Sequence, residues 1–243
     1  MNPLSQHCSI MQPTFVPWAG YFSLISLSQH FVFLDDVQLT KQSWQTRNQI
    51  ILNGKPFWLS VPVFHKNLQQ LIQDTEIDDR TKWRDKQIKT IQLNYKKLRY
   101  FHEIEYIFDI IADKSITKLS ELNMKVIRET CKHLEIKSEM HVSSDFKDKS
   151  EDRSQRLSDL CKWVDCNTYI SPTGAKEYLV QDDFIQTSKM PVKIFSFTPK
   201  PYPQGDHPEF ISHLSFLDVV ANISMDGLKE YISDPKAISL ENL

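Results

Sequence analysis

The strongest constraint on the fold lies in the first 36 residues. "HCSIMQ" (7–12) is a short, mostly apolar run that stops at Pro13. "WAGYFSLISLS" (18–28) has helical spacing, with Phe22, Ile25 and Leu24 on its buried side. "FVFLDD" (31–36) is a second strand, apolar through Leu34. Strand, helix and strand in so short a span predict a right-handed crossover between two parallel strands. The loop bracketed by Pro13 and Pro17 then lies at a strand's C-terminal end, the edge at which open α/β sheets bind ligands. Free N–H groups at the following helix start favour anions there. The prolines remove loop entropy in advance, and Gly20 permits close approach to the helix. Gln12, Pro13, Pro17, Trp18 and Gly20 are therefore candidate ligand contacts.

Beyond this unit, "NQIILNGKPFWLSVPV" (48–63) reads as a β-hairpin turning at Asn53-Gly54, where both residues tolerate positive φ. Helical patterning covers about 80–111, with a break near Leu98, and then 117–134. A strand is expected at 136–143, an exposed polar loop at 144–153, a helix at 153–164 and a short strand at 168–170. "SPTGAKEYL" (171–179) repeats the opening design of strand end, Pro/Gly turn and helix start. A strand at 192–197, a proline-rich loop at 199–210 and a helix at 211–222 follow, and the tail after Pro235 is expected to fray. The expected class is α/β: a mostly parallel, Rossmann-like sheet flanked by helices, in one domain (1–243) with a helical insertion at about 80–134.

Three further segments carry residues suited to chemistry. In "LDDVQLTKQSWQTRN" (34–48), Asp35 and Asp36 end the second strand and face opposite ways in a two-residue period. Lys41, Trp44, Arg47 and Asn48 would share a face if that piece were helical, and Arg can hold an anion bidentately. Between Arg80 and Tyr100 there are eight basic residues against the single acid Asp85, with Trp83 interrupting the run. A basic stripe with an aromatic suits a nucleotide sugar, a carrier's phosphopantetheine or RNA, although a solvated helix face explains it as simply. In "SPTGAKEYL", Ser171, Thr173 and the amides near Gly174 suit an anion, and Lys176 adds charge.

Several classes are disfavoured. The formal charge of −2 gives no global field toward a polyanion such as DNA. The four cysteines form no CxxC pair and read as reduced, buried thiols of a cytoplasmic protein. The eight histidines form no HExxH or HxxxH pair, so no metal is assigned. Neither a GxSxG elbow nor a glycine-rich phosphate loop is present, and no motif names a cofactor. No signal peptide and no apolar run long enough to span a membrane is visible.

Taken together, "MQPTFVPWAGYF", "FVFLDDVQLTKQSWQTRNQI", "GKPFWLSVPV", "YISPTGAKEYL", "PYPQ" and "SFLDVVAN" resemble, in order, the WbqC-like protein family. Members commonly occur in bacterial gene clusters for O-antigen and related surface polysaccharides. The resemblance implies functional weight for Gln12, Pro13, Pro17, Trp18, Gly20, Asp35, Gln38, Lys41, Trp44, Arg47 and Asn48. It implies the same for Ser171, Gly174, Ala175, Lys176, Tyr178, Tyr202 and Gln204. Phe15-Val16 departs mildly from the aromatic-Leu pair expected in the opening motif. The strand, proline loop, glycine, helix and acid-ended strand also look like nucleotidyltransferases with a HIGH motif, such as pantothenate synthetase. Here "WAGYF" supplies Trp18 and Tyr21 in place of that motif's two histidines.

The function implied is lipopolysaccharide biosynthesis by a transferase that acylates or aminoacylates a nucleotide-linked aminosugar. Asp35 would handle the proton, Lys41 and Arg47 the phosphates, and Trp44 the ring. The partners expected are the nucleotide-linked sugar and an activated acyl or aminoacyl donor, carrier- or tRNA-linked, landing on the basic helix. A diverged ATP-dependent nucleotidyl- or acyl-adenylate-forming enzyme and a non-catalytic binding protein of the polysaccharide machinery are the alternatives.

Overall fold

The structure, a computed structural model, describes residues 6–205 and 209–240. The opening unit forms as the sequence predicts. Strand β1 (His7–Met11), helix α1 (Ala19–Ser26) and strand β2 (His30–Phe33) make a parallel crossover, with Cys8 opposite His30 and Met11 opposite Phe33. α1 is buried on all sides from Ala19 to Ile25, which suits its apolar sequence better than a one-faced helix would. β3 (Arg47–Leu52) and β4 (Lys55–Ser60) form the hairpin. Asn53 and Gly54 turn it with φ of 51° and 70°, the left-handed pair that a two-residue hairpin loop requires.

Helices α2 (Trp83–Tyr95), α3 (Tyr106–Ala112) and α4 (Leu119–His133) follow, with a 3-10 turn at Phe101–Ile104 in the predicted break. Next come β5 (Glu139–Val142), α5 (Arg153–Trp163), β6 (Thr168–Pro172), α6 (Lys176–Gln181), α7 (Phe184–Ser188) and β7 (Val192–Ser196). Helix α8 (Phe216–Tyr231) starts later and runs further than its sequence pattern suggested. Trp18 and Ser215 pair as a β-bridge, so the chain stays extended until Ser215 caps the helix through its own hydroxyl. A kink interrupts α8 at Ser224, whose φ is 77°.

Through residue 240 the tail is not frayed: β8 (Lys236–Ser239) pairs antiparallel with β7 and closes that edge. The predicted exposed loop at 144–153 is also anchored: Ser143 is fully buried and bonded to Asp36, and Lys149 pairs with Asp36 at 2.9 Å. Residues 206–208 of the predicted proline-rich loop lie outside the described residues.

The main sheet has the order β5-β2-β1-β6-β7-β8, parallel except for β8. Counted within this sheet, the order is 3-2-1-4-5-6, that of a doubly wound α/β fold. Strand alternation splits the interior in two. Phe31, Phe33, Ile170 and Phe195 pack toward α1, α4 and α8, whereas Cys8, Ile10, Val32, Tyr169 and Ile194 pack toward α5, α6 and α7. All four cysteines are buried free thiols. No helix among the described residues is long and apolar enough to cross a membrane.

Candidate functional site

From β1 the chain winds outward through β2 to β5; from β6 it winds the other way, through β7. The winding reverses between β1 and β6, and a crevice opens outside the carboxyl ends of strands at such a point. A cavity of about 390 Å³ lies there, lined by Met11, Trp18, Gly20, Tyr21 and Leu24 from the first crossover, and by Pro172, Thr173, Gly174, Phe195, Phe197 and His213. Its size and apolar, aromatic character are those of a small-molecule site.

Each wall has a local cause. Trp18 packs edge-on against Phe197 at 5.5 Å and lies 4.8 Å from the His213 ring. The indole folds back over Gly20, where a Cβ would come within 2.2 Å of the ring. Gly20 thus leaves room for the indole while lining the same cavity. Tyr21 donates its hydroxyl to the carbonyl of Gln12 at 3.0 Å, and Thr173 donates to the carbonyl of Phe195 at 2.6 Å. His213 adopts φ of 60°, a left-handed conformation that non-glycine residues rarely hold without support. Its Nδ1 is 2.8 Å from the Ser212 hydroxyl, and partial desolvation lowers its pKa below the ordinary 6.5. A neutral imidazole in the wall of an aromatic crevice can accept a proton.

The opening loop is held from beneath by Asn48 and by two residues the sequence did not single out, Asn123 and Gln45. Asn123, fully buried on α4, donates to the carbonyls of Pro13 and Gln45 at 3.1 and 2.8 Å. Gln45 donates to Gln12. Asn48 donates to the carbonyls of Phe15 and Val16 at 3.3 and 2.9 Å. Val16 has φ of 36°, a costly conformation for a β-branched residue before proline, and Asn48 helps to hold it. Pro17 accepts from the Phe216 amide at 2.8 Å, tying the loop to α8.

The remaining predicted residues distribute elsewhere. The segment 41–46 is a set of turns, not a helix, so Lys41, Trp44, Arg47 and Asn48 do not form a helical face. Trp44 and Arg47 nevertheless meet: Arg47 lies 4.2 Å over the Trp58 ring, and Trp44 packs 5.7 Å from the same ring. This platform is solvent-facing, with Trp44 46% and Trp58 37% exposed, and Arg47 is outside the crevice lining. Lys41 and Gln38 line a separate cleft of about 210 Å³ with His65 and Gln70. Ser171 is fully buried, with its hydroxyl on the Pro172 carbonyl. Ala175 is buried beneath the same turn, and Lys176 begins α6. Tyr178 lies 4.0 Å beneath Arg153. Gln204 clasps Ile211: its side-chain N–H donates to the Ile211 carbonyl and its side-chain oxygen accepts from the Ile211 amide, each at 2.8 Å.

Asp35 is 3% exposed and accepts from the Ser144 amide at 3.0 Å and hydroxyl at 2.9 Å. Burial raises its pKa against the pull of those bonds. Asp35 and Asp36 do not diverge, because β2 ends at Phe33 and the two-residue period ends with it. Both grip the 143–149 segment. The basic helix also changes character: Trp83 is 5% exposed and packed in the core, so it is not an aromatic on a binding stripe. Arg84 is 4% exposed and bound to Asp79 and three carbonyls.

A second polar feature went unnoticed in the sequence. Asp218, 1% exposed, accepts from Tyr95 at 2.6 Å and Tyr202 at 2.9 Å, and burial raises its pKa. An acid inside the apolar run "FLDVVA" was the available signal, since a buried carboxylate needs donors.

Comparison with known proteins places these features in a lineage. The chain is 31% identical over 182 residues to the uncharacterized protein Rv1507c of Mycobacterium tuberculosis (strain ATCC 25618 / H37Rv), covering 74% of this chain and 78% of that one. No solved structure matches it significantly. The model of the WbqC-like protein family matches residues 12–230, which include both loops of the crevice, the Trp58 platform and Asp218. The chain belongs to the WbqC-like protein family.

Proposed function

We propose that the crevice between β1 and β6 binds a nucleotide-linked aminosugar, and that in surface-polysaccharide biosynthesis its amine takes an acyl or aminoacyl group from an activated carrier- or tRNA-linked ester or thioester, an amide forming as the donor's C–O or C–S bond breaks and its hydroxyl or thiol leaves with the amine's proton. The observation that supports this is the joint lining of one cavity at the sheet's reversal point by Trp18, Thr173, Gly174, Phe197 and His213. The indole and phenyl rings offer flat apolar walls for a base or a sugar face. Lys176, two residues beyond Gly174, supplies charge for the diphosphate. His213 takes the proton from the attacking amine, a role for which its lowered pKa leaves it unprotonated near neutral pH. Asp35, committed to Ser144, instead holds the 143–149 segment in this scheme.

The exposed Trp44–Arg47–Trp58 platform favours a second reading, in which the protein binds a glycan precursor there without chemistry. Calorimetry with nucleoside diphosphate sugars separates the two. Trp18→Ala should weaken binding roughly ten-fold or more, by loss of a stacking wall, with unchanged circular dichroism. Arg47→Ala should then have little effect. Binding lost with Arg47→Ala but kept with Trp18→Ala moves the site to the platform. His213→Gln should slow transfer while leaving sugar affinity nearly intact.

A further inference from the structure

The edge formed by β2 and β5 carries a cluster remote in sequence from the crevice residues. His30 opens β2 opposite Glu139 in parallel register, and His141 follows Glu139 by two residues on β5. Register partners and residues two apart share one face of a sheet, so all three side chains project to the side on which Val32 packs. His30 Nδ1 stands 3.0 Å from His141 Nε2. The Glu139 carboxylate oxygens stand 3.7 Å from His30 Nδ1 and 3.8 Å from His141 Nε2. One donor atom from each residue fits within a mutual spacing of 4.8 Å.

A tetrahedral ion with bonds of 2.0–2.2 Å spaces its ligand atoms by about 3.3 Å. The observed separations bracket that figure. Glu139, whose side chain is 68% exposed, is free to close the difference by a small rotation. Coordination needs neutral imidazoles, His30 protonated on Nε2 and His141 on Nδ1. Arg128 does not compete for the carboxylate: its guanidinium donates to the Met140 carbonyl at 3.3 Å and lies 5.1 Å over Phe33, on the opposite face. Trp163 packs edge-on to His141 at 5.6 Å and stacks on Phe146 at 5.2 Å, walling one side.

The geometry points to a divalent transition-metal site of the Zn²⁺ class, with His30, Glu139 and His141 as ligands and one coordination position open. Two imidazoles and one carboxylate suit Zn²⁺, Co²⁺ or Ni²⁺ over Mg²⁺ or Ca²⁺, which prefer all-oxygen shells. The ion would pin edge strand β5 to β2, since each strand contributes ligands.

The test titrates chelator-stripped, full-length protein with Zn²⁺ and Co²⁺. Saturable one-to-one binding in the micromolar range is expected, with a raised Tm. Co²⁺ should give weak visible bands without sulfur charge transfer, and should quench tryptophan fluorescence less in Trp163→Phe. Glu139→Gln should weaken binding roughly ten-fold or more, and His30→Gln and His141→Gln should abolish it. Millimolar or unsaturable binding by the unaltered protein would overturn the site, as would affinity unchanged in Glu139→Gln. A strong sulfur-to-metal band would overturn it too, by placing the ion on the buried cysteines. Should the histidine variants not fold, Glu139→Gln at its exposed position decides alone.

Discussion

The indole of Trp18 occupies the space where a side chain on Gly20 would sit, with the nearest ring atom 2.2 Å from an ideal Cβ. The glycine and the tryptophan are therefore one device. Gly20→Ala should destabilise the protein by about 1–3 kcal/mol through overpacking, partly offset by about 1 kcal/mol of helix propensity. In Trp18→Ala the same glycine substitution should be neutral or stabilising. A double-mutant cycle by urea denaturation reads the coupling directly; additive effects would show the two positions to be independent.

Asn48 holds the carbonyls on both sides of the Phe15–Val16 step, where the chain adopts its left-handed turn before Pro17. Asn48→Ala leaves two carbonyls short of a donor in a buried place. The expected loss is about 2–3 kcal/mol. It should be accompanied by faster amide exchange in residues 12–17, which distinguishes loosening of the crevice wall from general destabilisation.

Arg84 binds Asp79 through two nitrogens at 2.8 and 2.9 Å and donates to the carbonyls of Ile111, Asp113 and Ile116. It ties the start of α2 to the end of α3 and the turn beyond. Asp79 is 35% exposed, so water recovers part of any loss. Arg84→Met should cost about 2–4 kcal/mol, below the full range for a broken buried pair. Arg84→Lys should recover little, because one ammonium cannot reach five acceptors. Equal stability of the lysine variant and the unaltered protein would contradict this geometry.

Asp35 titrates against the usual direction for a paired acid. Burial raises its folded pKa above the ordinary 3.8, so between those values the folded chain holds more proton than the unfolded one. Its contribution is fully present below 3.8 and is lost as pH rises through the folded value. Asp35→Asn keeps the contacts to Ser144 without the charge. Relative to the unaltered protein, the asparagine variant should therefore gain stability as pH rises from about 4 toward neutrality. Urea midpoints at several pH values measure this, and a difference independent of pH would refute it.

The histidines run the other way. Burial lowers His7, His141 and His213 below 6.5, so the unfolded chain binds more protons just beneath that pH. Their contribution is complete above 6.5 and declines as pH falls through the folded values. His141→Gln should flatten part of that decline in metal-free protein.

Local chemistry determined much of this molecule before any tertiary contact was known. The β1–α1–β2 crossover, the Asn53-Gly54 turn and the Pro172–Gly174 loop follow from period, proline and glycine, which act within a few residues. That Trp18 and Gly174 would share a crevice was legible too, because parallel winding carries both loops to one edge. Tertiary structure alone decided that Arg47 stacks outside that crevice, that Asp35 is spent on Ser144, and that Trp83 belongs to the core. It also brought His30 to His141 across 111 residues and Asp218 to Tyr95 across 123. Such pairings depend on which strand lies beside which and on what burial demands of a polar group. A periodic pattern records the direction a side chain faces, but not the partner that waits on the other side.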